Sequence, residues 1–495
     1  MKAAVERYRL AGVAVGVVRD DVTLYADSSG ELVYGSEHKI DSQTLFKIAS
    51  NTKAMTGALL ARLVDQGKLQ WDDPVIRYLP DFAMYDPWVT REIQVRDLLI
   101  HNSGLGAGAG DLMLWPEPNT FTRKQVIHAL RYLKPQYSFR SRYAYDNNLY
   151  IVAGEVAAAA GGAPYDELLR KEIFQPLGIT RCQVGAWQRD QVGNVAQPHI
   201  RSGGRNIVVR PDPEIIPDVP MMAAGGVRCS LDDMLKWVAA WLQPAESVLV
   251  DGKPWLSAAQ RRLVWTPHTL MPLSQRMREW DNSHYSAYGY GWRLTDVDGT
   301  AKVSHTGTLS GMYSSVTLLP ELGVGIVVLI NADAEDARTA LTQTLVKQFT
   351  APQKRLTLQH YADQLDDARA ARQERLAREP STNGEPVSAS VSLPWTGRYR
   401  DPWLGEASLC PGPQHIEFSV VNSPKLAGQV RRIDQRLYVA WHDPTVEPSA
   451  WLFFSDSAPP APTVLTMAKT DPEGDFSSDF EDLRFVRIGD CPRAP

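Results

Sequence analysis

The chain has 495 residues, which is more than one hydrophobic core usually holds, so its length predicts a large domain and at least one smaller domain. Its 52 Lys and Arg residues stand against 57 Asp and Glu residues, and the net charge of −5 excludes the basic surface by which proteins bind nucleic acid. No apolar run approaches the roughly 18 residues that a transmembrane helix needs. We therefore expect no nucleic-acid partner and no transmembrane segment.

The N-terminal residues and the cysteines indicate in which cellular compartment the protein could reside and whether it could bind a metal. Residues 1–7 (MKAAVER) lack the apolar core of a signal peptide, so we expect a periplasmic or secreted protein if a signal peptide has been removed, and a cytoplasmic one otherwise. No two cysteines form a C-x-x-C pair, so we expect no metal and no cofactor. We expect four buried thiols, at Cys182, Cys229, Cys410 and Cys491. Two disulfides, one in each domain, are the alternative in an oxidising compartment.

The first predicted elements lead to a serine. Residues 12–18 (GVAVGVV) have the pattern of a buried strand, and residues 22–26 that of its hairpin partner. Apolar residues at helical spacing predict a helix over residues 51–66, which Gly67 would end. Ser50 is therefore predicted to lie at the N-terminus of this helix.

The middle of the chain alternates helical patterns with Pro- and Gly-rich loops. We predict helices over residues 122–132, 149–160, 165–174 and 231–242. A second β block follows, with strands at residues 314–318 and 325–330 and a helix at 334–349. Strands at both ends with helices between them predict one sheet that is built from both ends of a domain and carries a helical insertion.

The C-terminal part changes in character. Residues 354–378 are charged with one apolar face, which predicts a connecting helix, and residues 379–391 have the composition of a linker. Six short β-like runs follow, at residues 396–399, 415–420, 435–441, 451–454, 463–467 and 483–488. We therefore predict a large domain at 1–352, a connecting helix and linker at 353–391, and a small all-β domain at 392–495.

Ser50-Asn51-Thr52-Lys53 is an S-x-x-K motif. On a helix the first and fourth residues share a face, so the Lys53 amine can reach the Ser50 hydroxyl. A serine hydroxyl becomes a good nucleophile only when a neighbouring base accepts its proton. The alternative is an exposed helix-capping serine beside a surface lysine, and the motif by itself favours that alternative, since a chain this long contains about one such match by chance.

Two further motifs follow in chain order. In Tyr145-Asp146-Asn147 the phenol could shuttle a proton and the amide could hold a substrate; a core tyrosine and a capping asparagine are the alternative. In His305-Thr306-Gly307, followed by Thr308, an edge strand could pair with a peptide-like substrate that Gly307 lets approach. The alternative there is a turn histidine that leads into a strand.

In this order the three motifs resemble those of the serine β-lactamase and penicillin-binding-protein superfamily, with class C β-lactamases, D-alanyl-D-alanine carboxypeptidases and esterases as the nearest branches. Five stretches carry the resemblance over roughly residues 8–350: residues 44–57, 67–80, 95–104, 224–230 and 305–311. The C-terminal part resembles the lipocalin-like module of some members. The resemblance implies a β-lactamase-like α+β domain, with an antiparallel sheet and a helical insertion, followed by a small all-β barrel.

The resemblance also implies roles. Ser50 would be the acylated nucleophile, Lys53 its base, and Tyr145 an assistant in proton transfer. Asn147 would hold Lys53 and the substrate amide, and the backbone N–H groups of Ser50 and Thr308 would form the oxyanion hole.

His305 stands where most of these enzymes carry the lysine of K-T-G. Lysine is a permanent cation that suits a substrate carboxylate, whereas histidine is largely neutral above its ordinary pKa of about 6.5. We therefore predict a serine hydrolase that cleaves an ester or amide of a small molecule or short peptide, of the esterase or D-amino-acid peptidase type. The alternatives are a β-lactamase and a penicillin-binding or sensing protein with little turnover. Asp146 would favour neutral or cationic substrates, and a homo-oligomer is left open.

Other polar residues are expected to be structural. His101 and His199 stand in no catalytic motif, and residues 71–74 (WDDP) have the composition of a loop that follows the Lys53 helix.

Overall fold

A computed structural model describes residues 1–378, 384–390, 394–455 and 463–492. The chain forms two compact units. The first comprises Met1–Leu79, Gln94–His101 and Leu149–Arg372, and the second comprises Pro80–Ile93, Asn102–Asn148 and Gln373–Pro495. Each unit thus combines segments that are distant in sequence, and the predicted boundaries at 352 and 392 stay a prediction.

Helices alternate with loops through most of the chain. The α-helices are α1 Lys2–Tyr8, α2 Thr52–Asp65, α3 Pro87–Glu92, α4 Arg123–Ala129, α5 Asn148–Gly161, α6 Tyr165–Leu169, α7 Arg189–Val192, α8 Met222–Gly225, α9 Leu231–Leu242, α10 Ala258–Val264, α11 Gln275–Asp281, α12 Glu335–Thr350 and α13 Leu358–Arg378. The predicted helix at 231–242 has the observed bounds, whereas the one predicted at 122–132 is shorter, because a capping box on Thr122 begins α4 and the helix ends at Ala129.

The first unit contains an antiparallel sheet of eight strands. They are β1 Gly12–Arg19, β2 Val22–Gly30, β3 Thr269–Leu270, β4 Ser286–Tyr288, β5 Arg293–Val297, β6 Thr300–Leu309, β7 Met312–Leu319 and β8 Val324–Ile330. Their order in the sheet is β3-β4-β5-β6-β7-β8-β1-β2. Because β1 pairs with β8, with Val13 opposite Ile330, the predicted sheet from both ends of the domain is confirmed.

The interior strands β1 and β8 are apolar on both faces because helices cover both faces. Val15, Val328 and Leu341 of α12 belong to one buried cluster on the first face. On the other face Gly16 lies against Leu235 of α9, where a Cβ atom on the glycine would stand 2.9 Å from the leucine side chain. Burial on both faces explains why these strands are continuous apolar runs without the usual alternation.

The second unit contains a closed barrel of eight antiparallel strands. They are β9 Gly397–Asp401, β10 Gly405–Pro411, β11 Ile416–Val420, β12 Ser423–Ile433, β13 Arg436–Trp441, β14 Ala450–Phe454, β15 Val464–Lys469 and β16 Arg484–Gly489. The barrel closes because β12 pairs with both β11 and β13, and Glu385–Pro386 adds a short strand to β12.

The sequence predicted six of the barrel strands and missed β10 and β12. Both contain glycine or proline, and β12 also carries Lys425 and two arginines, so their β signal is weak. Four of the eleven β12 residues are nevertheless buried, Leu426 and Val430 among them.

The expectation of four buried thiols is wrong. The four cysteines form two disulfides, Cys182–Cys229 in the first unit and Cys410–Cys491 in the second, with Cα atoms 4.2 Å and 5.7 Å apart. The alternative of one disulfide in each domain is therefore the observed arrangement.

Within the described ranges, no helix is both long enough and apolar enough to cross a membrane.

Candidate functional site

Ser50 lies in a tight turn between a short strand and α2. Phe46–Lys47 pairs with Arg228–Cys229, and a single 3-10 turn over Ala49–Asn51 leads into the helix. Ala49 has a φ of 48°, in the left-handed region that residues with a side chain rarely adopt. The surrounding contacts must hold this conformation, and the turn places Ser50 where the backbone N–H groups of a helix N-terminus are available.

Lys53 is held one turn further along α2. Its Nζ lies 3.2 Å from Ser50 Oγ and 2.8 Å from the carbonyl oxygen of Ala224, and 5.1 Å from the centre of the Tyr150 ring. The side chain is 0% exposed. The alternative of a surface lysine beside an exposed serine is therefore wrong for Lys53, and the predicted contact between Ser50 and Lys53 is present.

Small residues allow this close packing around α2. The Thr56 hydroxyl donates to the Ala223 carbonyl oxygen over 2.7 Å, which ties α2 to α8. A Cβ atom on Gly291 would stand 2.5 Å from the carbonyl oxygen of Lys53, and Gly291 has a φ of 83° that suits glycine. The backbone of α2 at Lys53 and Thr56 is thus packed closely against the backbone of the neighbouring segments.

Strand β6 packs against the turn that carries Ser50. Ser314 Oγ, on the neighbouring β7, lies 2.7 Å from both the Ile48 carbonyl oxygen and Asn51 Nδ2. A Cβ atom on Gly307 would overlap the Ile48 carbonyl oxygen. The predicted site residue Gly307 therefore lies against the turn that carries Ser50, and Thr308 follows it on the same strand.

The edge of β6 is available beyond Ser304, because that is the last β6 residue that pairs with β5. Thr308 is exposed there. Arg338 of α12 donates to the Gly307 carbonyl oxygen over 2.9 Å and to Thr308 Oγ1 over 2.8 Å. Such an edge can pair with an extended substrate, as the sequence predicts for this strand.

His305 is neutral and turned into the protein. Its Nδ1 lies 2.7 Å from the Thr306 carbonyl oxygen, which can only accept, so Nδ1 carries the hydrogen and Nε2 accepts from the Tyr288 hydroxyl, also 2.7 Å away. The side chain is 1% exposed, and burial, followed by the positive charges of Arg293 and Lys53, holds its pKa well below 6.5. His305 thus supplies no cation at neutral pH.

The other two histidines that the sequence assigned to structure are also buried. The His101 ring packs 4.5 Å from Tyr288, and burial holds the His101 pKa well below 6.5. His199 accepts from the Tyr34 backbone N–H at 3.0 Å, and its other nitrogen contacts the Asn331 carbonyl oxygen at 2.9 Å. Both ring nitrogens of His199 are thus occupied, as in a structural histidine.

The second unit carries Tyr145 and Asn147. Asn147 Nδ2 donates to Asp111 Oδ2 over 2.8 Å, and the Ser477 hydroxyl donates to the same oxygen over 2.8 Å. The Tyr145 ring stands edge-to-face with that of Phe476, with centroids 5.6 Å apart. The carboxylate fixes which way the Asn147 amide faces, because only the NH₂ group can donate to it.

Asp146 does not lie where it could select substrates by its charge. The residue is fully buried, and the Ser103 hydroxyl donates to its carboxylate over 3.5 Å. Its charge is therefore not at a solvent-facing surface, so the expectation that it selects neutral or cationic substrates loses its basis.

Sequence reasoning found Ser50, Lys53, Gly307 and Thr308, which one unit brings together, and Tyr145 and Asn147, which the other unit carries. It missed the partners that orient them, namely Tyr150, Ala224, Tyr288, Arg338, Asp111 and Ser477. Only Ala224 lay in a stretch that had been singled out. The signal for Tyr288 was the Tyr-Gly-Tyr-Gly run that it begins; for Asp111 and Ser477 no local signal exists.

The described part of the chain contains no group of three or more acidic, His or Cys side chains arranged to hold a metal.

The chain is similar in sequence to a known protein family and to individual proteins of fungi and bacteria. The sequence profile of the family described as Beta-lactamase matches residues 1–349. The chain is 27% identical over 384 residues to "Unguisins hydrolase ungD'" of Aspergillus campestris (strain IBT 28561), an alignment that covers 74% of this chain and 67% of the relative. It is 30% identical over 174 residues to "D-alanyl-D-alanine-carboxypeptidase/endopeptidase AmpH" of Escherichia coli (strain K12), which covers 34% of this chain and 44% of that relative.

Among solved structures, the chain is similar to the octameric penicillin-binding protein homologue from Pyrococcus abyssi. The TM-score is 0.60, the sequence identity is 17%, and the similarity covers 98% of both chains. At this identity the likeness concerns the fold, and it extends over the barrel as well as the large sheet.

Proposed function

Because this chain belongs to the β-lactamase family, we propose that it is a serine hydrolase that cleaves an ester or amide bond through an acyl-enzyme on Ser50. The observation that carries the proposal is the 3.2 Å contact between Lys53 Nζ and Ser50 Oγ at the N-terminus of α2, with the lysine fully buried. This contact places an amine within hydrogen-bond distance of the hydroxyl, which is the geometry that proton transfer between the two groups requires.

The reaction would proceed in two steps. Lys53 takes the hydroxyl proton as Ser50 Oγ attacks the carbonyl carbon, and the resulting oxyanion accepts hydrogen bonds from the backbone N–H groups of Ser50 and Thr308. The carbonyl re-forms as the leaving group departs with a proton that Tyr145 relays. Water then attacks the acyl-enzyme and restores the Ser50 hydroxyl.

The orientation of Asn147 supports this assignment. Its NH₂ group donates to Asp111, so the carbonyl oxygen is the atom of the amide that can only accept, and the proposal assigns it the Lys53 amine or a substrate amide as donor. This is the role that family resemblance implies for the residue.

The state of His305 favours an esterase or D-amino-acid peptidase over a β-lactamase. The carboxylate of a β-lactam or a D-alanine terminus is best held by a cation, and the buried, neutral His305 does not provide one. A β-lactamase, or a penicillin-binding protein with little turnover, is the second candidate, since the solved homologue is named as a penicillin-binding protein homologue.

A panel of substrates with a covalent probe tests the proposal. Wild type should turn over short-chain p-nitrophenyl esters or D-amino-acid peptides and should take up one fluorophosphonate group, and Ser50→Ala should do neither while its circular dichroism spectrum is unchanged. A stable adduct with penicillin without turnover of any substrate would favour the second candidate. Equal ester hydrolysis by wild type and Ser50→Ala would refute the assignment of Ser50.

The proposal also covers the kinship of the barrel and the oligomeric state of the protein. The closed eight-stranded barrel supports a relation to lipocalin-like modules. The solved homologue is named as octameric, and a homo-oligomer of this chain is a proposal that multi-angle light scattering tests.

A further inference from the structure

One loop of the barrel contacts the segment that carries Tyr145 and Asn147. This loop, residues 470–483, connects β15 to β16, and we call it the barrel loop. It belongs to the second unit, as do Tyr145 and Asn147. Its contacts run to the Tyr145 ring, to the Asp111 carboxylate that Asn147 also contacts, and to the backbone of Gly108 and Gly110.

The first contact reaches Asn147 through a shared carboxylate. Asp111 Oδ2 accepts from Asn147 Nδ2 and from the Ser477 hydroxyl, each over 2.8 Å. Asp111 is fully buried, where a hydrogen bond to a charged group is strong and directional. Ser477 therefore holds the carboxylate on which the orientation of the Asn147 amide depends.

The second contact reaches Tyr145. The Phe476 ring stands edge-to-face with the Tyr145 ring, yet 42% of Phe476 remains exposed. The backbone N–H of Gly108 donates to the Tyr145 carbonyl oxygen over 2.8 Å, and a Cβ atom on Gly108 would overlap the Phe476 carbonyl oxygen. The barrel loop thus lies against the backbone that positions Tyr145 and presents an apolar ring beside the phenol.

A third contact fastens the loop independently of these two. Asp479 Oδ2 accepts from the Gly110 backbone N–H over 2.6 Å, and Asp479 is buried. With this anchor the loop is docked at three points, so its position next to the motif does not depend on Phe476 or Ser477 alone.

We propose that two residues of the barrel loop serve substrate binding: Ser477 positions Asn147 through Asp111, and Phe476 selects substrates whose acyl part carries an apolar, above all aromatic, group. This rests on the proposed hydrolase, in which Tyr145 and Asn147 serve Ser50. Ser477 is a positioning residue, and Phe476 is the specificity-determining one.

The experiment compares variants of the full-length protein on two esters with one leaving group, p-nitrophenyl acetate and p-nitrophenyl phenylacetate. Phe476→Ala should lower kcat/KM for the phenylacetate by about 10-fold more than for the acetate, chiefly through KM, because an aromatic contact is lost. Phe453→Ala is the matched control, since Phe453 is a barrel phenylalanine that is 49% exposed; it should leave the ratio unchanged.

The positioning role of Ser477 is tested by measuring kcat of its variants on both esters. Ser477→Ala should lower kcat about 5- to 10-fold for both esters, and Ser477→Thr, which keeps the hydroxyl, should restore it. Ser478→Ala is the control, because the neighbouring Ser478 donates to the Glu447 carbonyl oxygen and not to Asp111. Where an ester is not turned over, the rate of fluorophosphonate labelling with alkyl and benzyl probes replaces kcat/KM.

The outcomes separate the two proposals. If wild type turns over or is labelled on Ser50 but Phe476→Ala shifts both substrates equally, or Ser477→Ala behaves as Ser478→Ala, the loop proposal is overturned and the hydrolase stands. If wild type is neither active nor labelled, the hydrolase fails and the loop proposal fails with it. A changed substrate ratio together with rescue by threonine supports the role of the loop.

Discussion

Gly307 packs directly against the carbonyl group of Ile48: a Cβ atom on Gly307 would overlap that carbonyl oxygen. Ile48 immediately precedes the turn that carries Ser50, so strand β6 is in backbone contact with the start of this turn. The position of the serine is therefore set by the sheet as much as by its own helix, and this close approach requires glycine at residue 307.

Gly307→Ala should displace the Ser50 turn and lower kcat/KM by about 100-fold or more, because a shift of about 1 Å in a reacting group has this effect. Ester hydrolysis and fluorophosphonate labelling measure the loss. Gly225→Ala is the control, since a Cβ atom there would lie 3.5 Å from Ala49, an ordinary contact. Similar activity of the two variants would show that the contact with Ile48 does not position the nucleophile.

Lys53→Met should lower the rate of acylation by about 100- to 10,000-fold, the usual contribution of a general base, while the protein stays folded. Stopped-flow acylation measures this step. Lys347→Met provides a matched control, because Lys347 is also a buried lysine but pairs with Asp298. We expect it to lower the melting temperature and leave acylation near the wild-type rate. If both variants acylate at the same rate, Lys53 is not the base.

The stability of the protein should fall below pH 6.5 in part because of His305. Its pKa is held well below 6.5 in the folded protein, so its contribution to stability is fully present above the ordinary pKa and is lost as the pH falls toward the folded value. His305→Gln cannot be protonated, and its melting temperature should decline less between pH 6.5 and 5. His101 contributes with the same sign, so the decline is reduced but not removed. Parallel curves for wild type and variant would contradict this assignment.

Asp479 should have the opposite pH dependence. Burial, followed by the negative charge of Asp482, with smaller contributions from Asp111 and Glu481, raises its pKa well above the ordinary value. Its contribution to stability is fully present below about pH 4 and is lost as the pH rises through the folded pKa. Asp479→Asn keeps an acceptor for the Gly110 N–H without a charge, so the variant should melt above wild type at pH 8 and the two should converge near pH 4. A lower melting temperature for the variant at pH 8 would disprove this.

Removal of the barrel disulfide should destabilise the second unit. Cys410 and Cys491 are 81 residues apart, and the entropy of closing a loop of that length corresponds to about 4.5 kcal/mol of unfolding free energy. The double variant Cys410→Ala/Cys491→Ala, followed by urea unfolding, measures the change. Wild type treated with dithiothreitol loses the Cys182–Cys229 bond as well and should be destabilised at least as much, and an unchanged midpoint in the double variant would show that the barrel bond does not constrain the unfolded chain. Since disulfides persist in oxidising compartments, the pair favours a periplasmic or secreted location.

Much of this architecture could be predicted because its signals are local. The apolar run at residues 12–18 predicts a strand that is covered on both faces, and the spacing of Ser50 and Lys53 places both on one face of a helix, whatever the rest of the chain does. The order of the three motifs and the family resemblance then identified the candidate nucleophile and its base.

Other features depended on contacts between segments that are distant in sequence. Ser477 and Asp111 are separated by 366 residues, and no local pattern predicts that a barrel loop holds the carboxylate that orients Asn147. Similarly, His305 could be called neutral from its ordinary pKa, but only the fold showed that it is buried and bonded to Tyr288. The sequence by itself therefore determined most of the elements and the placement of Ser50 beside Lys53, since periodicity and spacing are local. The tertiary structure decided how the candidate site residues are oriented, because orientation depends on distant partners.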